Sequence, residues 1–468
     1  VDGANCKDSG YDFMTRGTVR NPRWQVTRYG PTAILLLALC ACSSGTYQQD
    51  LMNAPDIYDV GGIDPFAKIT PIDVAQYDGI LYATDRRPAD EPSKSPYYSP
   101  SRGYVLRVGS AHIRLAREGV SWEEARRVSL LKNRSEAYPL QVDRVREYGV
   151  LERSVTDLDE LSVVTEKSAL PGKLFAEQLN AQLEKATVKD VIVYTHGFKV
   201  GFENPVLVAS ELWHYLGYEG VFVAYSWPAT ESLWAYAYDT ESAVVAGRNL
   251  RVFLQYLADE TNAEHIHIIG YSAGTRVVTG ALWQLALLNE HLSKEAIQKR
   301  LRIGHVILTG SDIDVGIFGN YMVDGIWKIP AHLSVYLSAT DMALSTSSFF
   351  YFGNKRLGAW GDEDTLLPVT RKLLRENDDL IAIHVGDAER SSTGNGHAYF
   401  RDSPWVSSDI LMTLRYGLLP GERGLVRTSD DPIWRFPPDY ISKLRETVIR
   451  VSPKLAGHRK NPAAATIQ

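Results

Sequence analysis

Cysteine is nearly missing from this chain of 468 residues: Cys6, Cys40 and Cys42 are its only three, and none follows residue 42. A body without thiols has no disulfide framework, no thiolate nucleophile and no CxxC redox or zinc pattern. HExxH and EF-hand patterns are missing too. His265 and His267 stand two apart on one strand face but lack a third ligand, so neither metal nor cofactor is expected. Runs of lysine and arginine are absent from the body, and a formal net charge of -6 offers no basic surface, so no nucleic-acid partner is expected. No apolar stretch approaches the roughly 20 residues of a membrane-spanning helix. What remains is an ordinary globular composition, 44% hydrophobic and 23% charged, long enough for one large domain with an accessory region, or for two domains.

The first 42 residues read differently from the rest. Arg16, Arg20, Arg23 and Arg28 precede an apolar run at 33–39, AILLLAL, which ends in Cys40-Ala41-Cys42-Ser43-Ser44. A positive segment, a short apolar segment and small residues at its end make a secretory signal, with Met14 as the start and 1–13 as upstream read-through. LCAC resembles the lipobox of bacterial lipoproteins, which implies lipidation of Cys42 and a membrane partner through that lipid anchor. Several acyl chains together give stable attachment, each buried methylene adding about 0.8 kcal/mol. The expected location is the bacterial cell envelope, facing the periplasm, and Ser43 after the cysteine favours the outer membrane. Residues 43–75, polar and broken by Pro55, Gly61, Gly62 and Pro65, read as a tether. Residues 451–468 read as a flexible tail.

Between these ends, 76–450 reads as one domain. Strand-like runs at 80–83, 104–108 and 111–115 indicate an antiparallel start, with a Pro- and Ser-rich loop at 92–100. After a helix at 174–184, apolar runs at 191–194, 221–225, 265–269, 306–308, 333–337 and 380–385 alternate with helix-length segments. Buried strands joined by crossovers of a dozen residues or more make a parallel sheet covered on both faces. The fold class is therefore α/β, a mostly parallel sheet with helices on both faces and an antiparallel N-terminal start. Residues 345–379, which include Phe349, Phe350, Tyr351 and Phe352, are expected to cap a site.

One stretch carries chemistry. In HIHIIGYSAGTRVVTG, from His265 to Gly280, a period of two becomes a helical period across Gly270-Tyr271-Ser272-Ala273-Gly274, which places Ser272 on a strand-to-helix hinge. A nucleophile elbow needs glycines two before and two after its serine, so that strand and helix can approach. The helix also aims its positive end at Ser272. A serine hydroxyl needs a base, and this arrangement demands the order serine, acid, histidine, the last two in loops after later strands. Asp341 in SATDMALS and His397 in GNGHAYF meet that order. Asp312 and Asp314 in LTGSDIDVG are the alternative acids, and Asp387 is a weaker one. The oxyanion hole is expected from the backbone amides of Ala273 and Phe198, the latter in VIVYTHGF.

With these residues in hand, the chain resembles the α/β-hydrolase superfamily, and within it an uncharacterised family of bacterial envelope hydrolase-like proteins, often lipoproteins. The resemblance rests on THGF, GFENPVLVA, YSWPA, AYDTESA, GYSAG, SATDMALS and GHAYF, extends to YATDRR, and covers roughly 77–415. It implies an α/β-hydrolase fold and a serine hydrolase using Ser272, Asp341 and His397, without implying a substrate.

The expected activity is hydrolysis of a carboxylic ester, in a small molecule or a lipid, through an acyl-enzyme. Acyl transfer to another acceptor uses the same parts, and an inactive hydrolase-shaped envelope binding or scaffold protein is the alternative of another class. Around the site, His196 reads as structural and Asp239 as a helix N-cap. Trp227 and the aromatics of LWAYAYD read as packing or pocket lining. Asp85-Arg86-Arg87 reads as a solvated turn.

Overall fold

The computed structural model describes residues 46–61, 63–67, 69, 79–90, 97–156, 169–232, 235–350, 355–359 and 368–455. The signal segment with Cys42, the 70–78 stretch, the centre of the expected cap and the end of the tail lie outside them. Among the described residues no helix is long and apolar enough to cross a membrane.

The described residues form an 11-stranded sheet. Its strands are β1 (Gln49–Asp50), β2 (Ile80–Pro88), β3 (Tyr98–Leu115), β4 (Pro139–Val150), β5 (Asp190–Thr195), β6 (Val221–Ser226), β7 (His265–Tyr271), β8 (Ile303–Thr309), β9 (His332–Leu337), β10 (Leu380–His384) and β11 (Trp434–Arg435). Their spatial order is β1-β4-β3-β2-β6-β5-β7-β8-β9-β10-β11. The first three pairings are antiparallel, and every pairing from β2–β6 to β10–β11 is parallel. Helices cover both faces.

Alternation within single strands explains this sandwich. Val191 and Val193 face one core with Phe175, Leu179, Phe253, Leu257 and Val277, which belong to the helices Leu170–Lys185, Tyr236–Glu260 and Gly274–Leu288. Ile192 and Tyr194 face the other, with Val206, Ile410 and Leu444 of the helices Glu203–Tyr215, Pro404–Tyr416 and Tyr440–Val451. Each such side chain buried contributes roughly 1.5–3 kcal/mol, so neither strand face tolerates a polar run.

Two expectations about the N-terminal part are corrected. The runs at 104–108 and 111–115 are one strand, β3, whose pairing with β4 shifts register between Val108 and Gly109 and between His112 and Ile113. Gly109 sits mid-strand because a Cβ there would lie 2.3 Å from Arg146 O. The described part of the 43–75 stretch is not a free tether but is folded onto the domain. β1 pairs with β4, Ile57, Tyr58, Ile63 and Phe66 are buried, and Met52 N donates to Glu211 Oε1 at 2.7 Å.

Asp85 and Arg86 are also corrected, since both are buried within β2 rather than solvated. Asp85 Oδ2 accepts from Asn249 Nδ2 at 3.0 Å, while its Oδ1 is buried without a hydrogen-bond partner. Burial raises the Asp85 carboxyl from 3.8 to about 6. Folding therefore takes up a proton between those pH values; the stability this contributes is present below the lower value and is lost as pH rises through the upper one. Replacing the acid removes the dependence. The stability of Asp85→Asn relative to wild type, measured by urea unfolding, is expected to be greater at pH 8 than at pH 4 by up to about 3 kcal/mol. A difference independent of pH would refute this.

Candidate active site

β7 ends at Tyr271 and the next helix begins at Gly274, so the chain turns from extended to helical over two residues. It does so through a left-handed Ser272 with φ of +53°, a conformation that costs roughly 1–2 kcal/mol outside glycine. Tertiary bonds hold it. Ser272 N donates to Thr309 O at 2.9 Å, and Ser272 O accepts from Thr275 N at 3.0 Å and Thr275 Oγ1 at 2.6 Å. The glycines are dictated by space: a Cβ on Gly274 would lie 2.2 Å from His196 O, and one on Gly270 3.1 Å from Val278 Cγ2.

Parallel β9 and β10 are neighbours, so the loops that leave their C-terminal ends meet beside Ser272. Asp341 follows β9 and opens the helix Met342–Phe350. Its Oδ1 accepts from Leu344 N at 3.0 Å, which leaves Oδ2 facing His397 Nδ1 at 2.6 Å. His397 follows β10; its backbone N donates to Asn395 Oδ1 at 3.1 Å, and its ring lies against Tyr271 with centroids 5.1 Å apart. Its Nε2 is 2.8 Å from Ser272 Oγ. A carboxylate only accepts, so Nδ1 carries the ring proton and Nε2 accepts from the serine hydroxyl. Ser272, Asp341 and His397 are thus brought together.

The alternative acids are not part of this line. Asp312 turns away from the histidine. Its Oδ2 accepts from Tyr236 Oη and from Arg276 Nε at 3.1 Å, and its Oδ1 accepts from Ser347 Oγ at 2.5 Å with Arg356 Nε 3.7 Å away. Asp314 caps the helix Val315–Val323, accepting from Gly316 N and Ile317 N. Asp387 pairs loosely with Arg435 at 3.9 Å.

The segment after β5 presses on Ser272. A Cβ on Gly197 would lie 2.8 Å from Ser272 Cβ and 3.3 Å from its Oγ, so the peptide that carries the Phe198 N–H runs directly beside Ser272. Ala273 is the N-cap of the helix Gly274–Leu288, where backbone N–H groups gather at the positive end. Phe198 and Ala273 are the two residues whose amides are expected as oxyanion donors. His196 is buried, stacked on Trp227 with centroids 5.3 Å apart, and Trp227 Nε1 donates to His196 O at 2.7 Å. Burial, and then the charge of Arg86, hold the His196 pKa well below the ordinary value. It therefore shapes the loop as a neutral side chain.

Other expectations resolve locally. His265 and His267 both bond Asp190, at 3.0 and 3.2 Å, and among the described residues no group of three or more ligand side chains could hold a metal ion. Asp239 is not an N-cap: it lies within the first turn of the helix Tyr236–Glu260, where its Oδ2 accepts from Thr230 N at 2.9 Å. Around the site, Arg276 and Tyr399 escaped sequence reasoning, whereas Tyr236 is one of the LWAYAYD aromatics read as packing or pocket lining. Arg276 stands in the first turn of the helix after Ser272, and its Nε donates to Asp312 Oδ2 at 3.1 Å. Tyr236 packs edge-on against Phe198 at 5.0 Å and meets Asp312 through its hydroxyl. Tyr399 Oη accepts from Gly310 N at 2.5 Å and donates to Tyr336 O at 3.0 Å, tying the histidine segment to the loop after β8.

Comparison with known proteins agrees with this architecture. Residues 173–415, just over half the chain, match a family described as alpha/beta hydrolase of unknown function (DUF900), and the chain belongs to that family. No curated protein and no solved structure matches it.

Proposed function

We propose that this α/β hydrolase is a serine hydrolase that cleaves carboxylic esters, of a small molecule or a lipid, through an acyl-enzyme. The observation that carries the reading is the continuous line from Asp341 Oδ2 through His397 to Oγ of a left-handed Ser272. Ser272 Oγ attacks the ester carbonyl as its proton passes to His397 Nε2. Asp341, already committed to Nδ1–H, stabilises the imidazolium that forms. The Ala273 and Phe198 amides receive the oxyanion, a contribution of roughly 3 kcal/mol per donor. The tetrahedral intermediate collapses with expulsion of the alcohol, which takes the proton from His397. Water, activated by the same imidazole, then releases the acid and restores Ser272. The residues need no metal or cofactor for these steps.

The same reading places the domain in the bacterial envelope, facing the periplasm and held at the outer membrane by lipid on Cys42. A Cys42→Ser chain that stays in the membrane fraction as the wild type does would count against that location. The chemistry is tested by treating the purified chain with a fluorophosphonate and locating the adduct by peptide mapping. Covalent modification at Ser272 is expected, together with release of acid and alcohol from model esters of graded chain length. A well-folded chain that takes no label and turns over no ester would leave the inactive scaffold as the better account.

A further inference from the structure

Arg86 lies on β2, ahead of the family-matched residues 173–415, in the antiparallel part of the sheet. It is 1% exposed, and each guanidinium nitrogen has a bond. Nε donates to Ser226 Oγ at 3.0 Å, Nη1 to Ala229 O at 3.1 Å and Nη2 to Val200 O at 2.9 Å. Val200 belongs to the segment after β5 that carries Gly197 and Phe198, and Ala229 to the segment after β6 that carries Trp227. One side chain therefore clamps the loop beside Ser272 to the segment whose Trp227 stacks on His196. The clamped loop needs holding, because Lys199, next to Val200, has a left-handed φ of +67°, a strained state that persists only where surrounding contacts over-determine it.

The charge matters as well as the fork. Among the described residues no carboxylate stands within ion-pair distance of Arg86, so carbonyl and hydroxyl dipoles carry its contact solvation. Burial lowers its pKa from 12.5 to about 10, which leaves it cationic at neutral pH. A neutral side chain of similar length would pack there without the cost of burying a charge, so packing alone does not explain an arginine.

We propose that Arg86 is a positioning residue of the hydrolytic site: through Val200 O and Ala229 O it fixes the 196–200 loop so that the Phe198 amide faces the oxyanion, and its buried cation behind that loop favours the developing negative charge. The N-terminal β extension thereby completes a site whose reacting groups all come from the family-matched stretch. This inference rests on the serine-hydrolase reading, and one experiment separates them.

The full chain is compared as wild type, Arg86→Met, Arg86→Ala and Ser226→Ala, with kcat and KM measured on a soluble model ester. Every kcat is divided by the number of Ser272 sites titrated with fluorophosphonate, so that misfolded protein does not count. Arg86→Met is expected to lower kcat per site about 100-fold, the size of losing one oxyanion donor, with KM within about threefold. Added guanidinium is expected to return about tenfold of the kcat lost in Arg86→Ala, which no merely structural role would produce. Ser226→Ala keeps the cation and removes only its Nε acceptor, and about fivefold lower kcat is expected, which keeps the proposal testable if both Arg86 variants fail to fold. Arg86→Met with kcat per site near that of wild type, a loss confined to KM, or unchanged kcat in Ser226→Ala would overturn the proposal. A wild-type chain that is unlabelled at Ser272 marks failure of the serine-hydrolase reading instead.

Discussion

Ser272→Ala is expected to abolish fluorophosphonate labelling and to lower kcat on a carboxylic ester by about 10⁵- to 10⁶-fold, while the chain folds as before. The size follows from what is lost and what stays. Removing Oγ removes the nucleophile and leaves His397 Nε2 without its 2.8 Å partner. The oxyanion donors and the binding surface remain, and in hydrolases built this way they sustain a residual 10³- to 10⁴-fold acceleration over water. Stability is expected to move by no more than about 1 kcal/mol, because one net hydrogen bond is at stake and alanine meets the same left-handed backbone as serine. The N–H and C=O of residue 272, which bond Thr309 and Thr275, are untouched. Initial rates and urea unfolding check both halves. A variant keeping a hundredth or more of the wild-type rate would remove Ser272 from the chemistry.

The parallel strands β5 to β10 were legible because their runs are buried on both faces, whereas the two-residue, half-buried β11 has no such run. A run such as Val191-Ile192-Val193-Tyr194 has no polar residue to spoil its signal, and its neighbours repeat the pattern at crossover spacing. The serine, acid and histidine were legible for a different reason: an elbow needs small residues at fixed offsets, and a doubly wound sheet delivers its later loops to the same edge in sequence order. The antiparallel part was harder to read. β4 carries Asp143, Arg144, Arg146 and Glu147, all at exposed positions, so a half-solvated strand there looks like a loop. Gly109 looks like a break in β3, but it is a close approach to a neighbouring carbonyl.

Arg86 shows why charged residues mislead. Asp85-Arg86-Arg87 has the composition of a solvated turn, and only Arg87 is exposed. Nothing in a linear reading reveals that three acceptors from two later loops, Ser226 Oγ, Ala229 O and Val200 O, await one guanidinium. The 46–69 stretch misleads in the same way. Its prolines and glycines read as a linker, yet Ile57, Tyr58 and Phe66 find a core supplied by the helices at 203–215, 404–416 and 440–451, the last of them almost 400 residues away in the chain. Long-range burial of this kind has no local period to detect.

Asp341→Asn and Asp312→Asn are expected to separate cleanly, and their contrast decides which carboxylate serves the histidine. An asparagine at 341 keeps the shape of the side chain but removes the charge facing Nδ1 at 2.6 Å. Its amide can also donate to Nδ1, which moves the ring proton to Nε2 and blocks it from accepting the serine's. A kcat fall of about 10⁴-fold is expected, with the fold held by the remaining bonds of the 341–345 turn. At 312 the loss falls on stability. Asp312 neutralises Arg276 and Arg356 in a buried cluster with Tyr236 and Ser347, and stripping one partner from such a cluster costs roughly 3–5 kcal/mol because the other charges stay buried. Its kcat per titrated site should stay within about tenfold of wild type, since no oxygen of Asp312 bonds His397. Rates per labelled serine and urea midpoints for the two variants give the answer. The opposite pattern, with the large kcat loss at 312 and the stability loss at 341, would reassign the acid and require the loop after β9 to move away from His397 in the working enzyme.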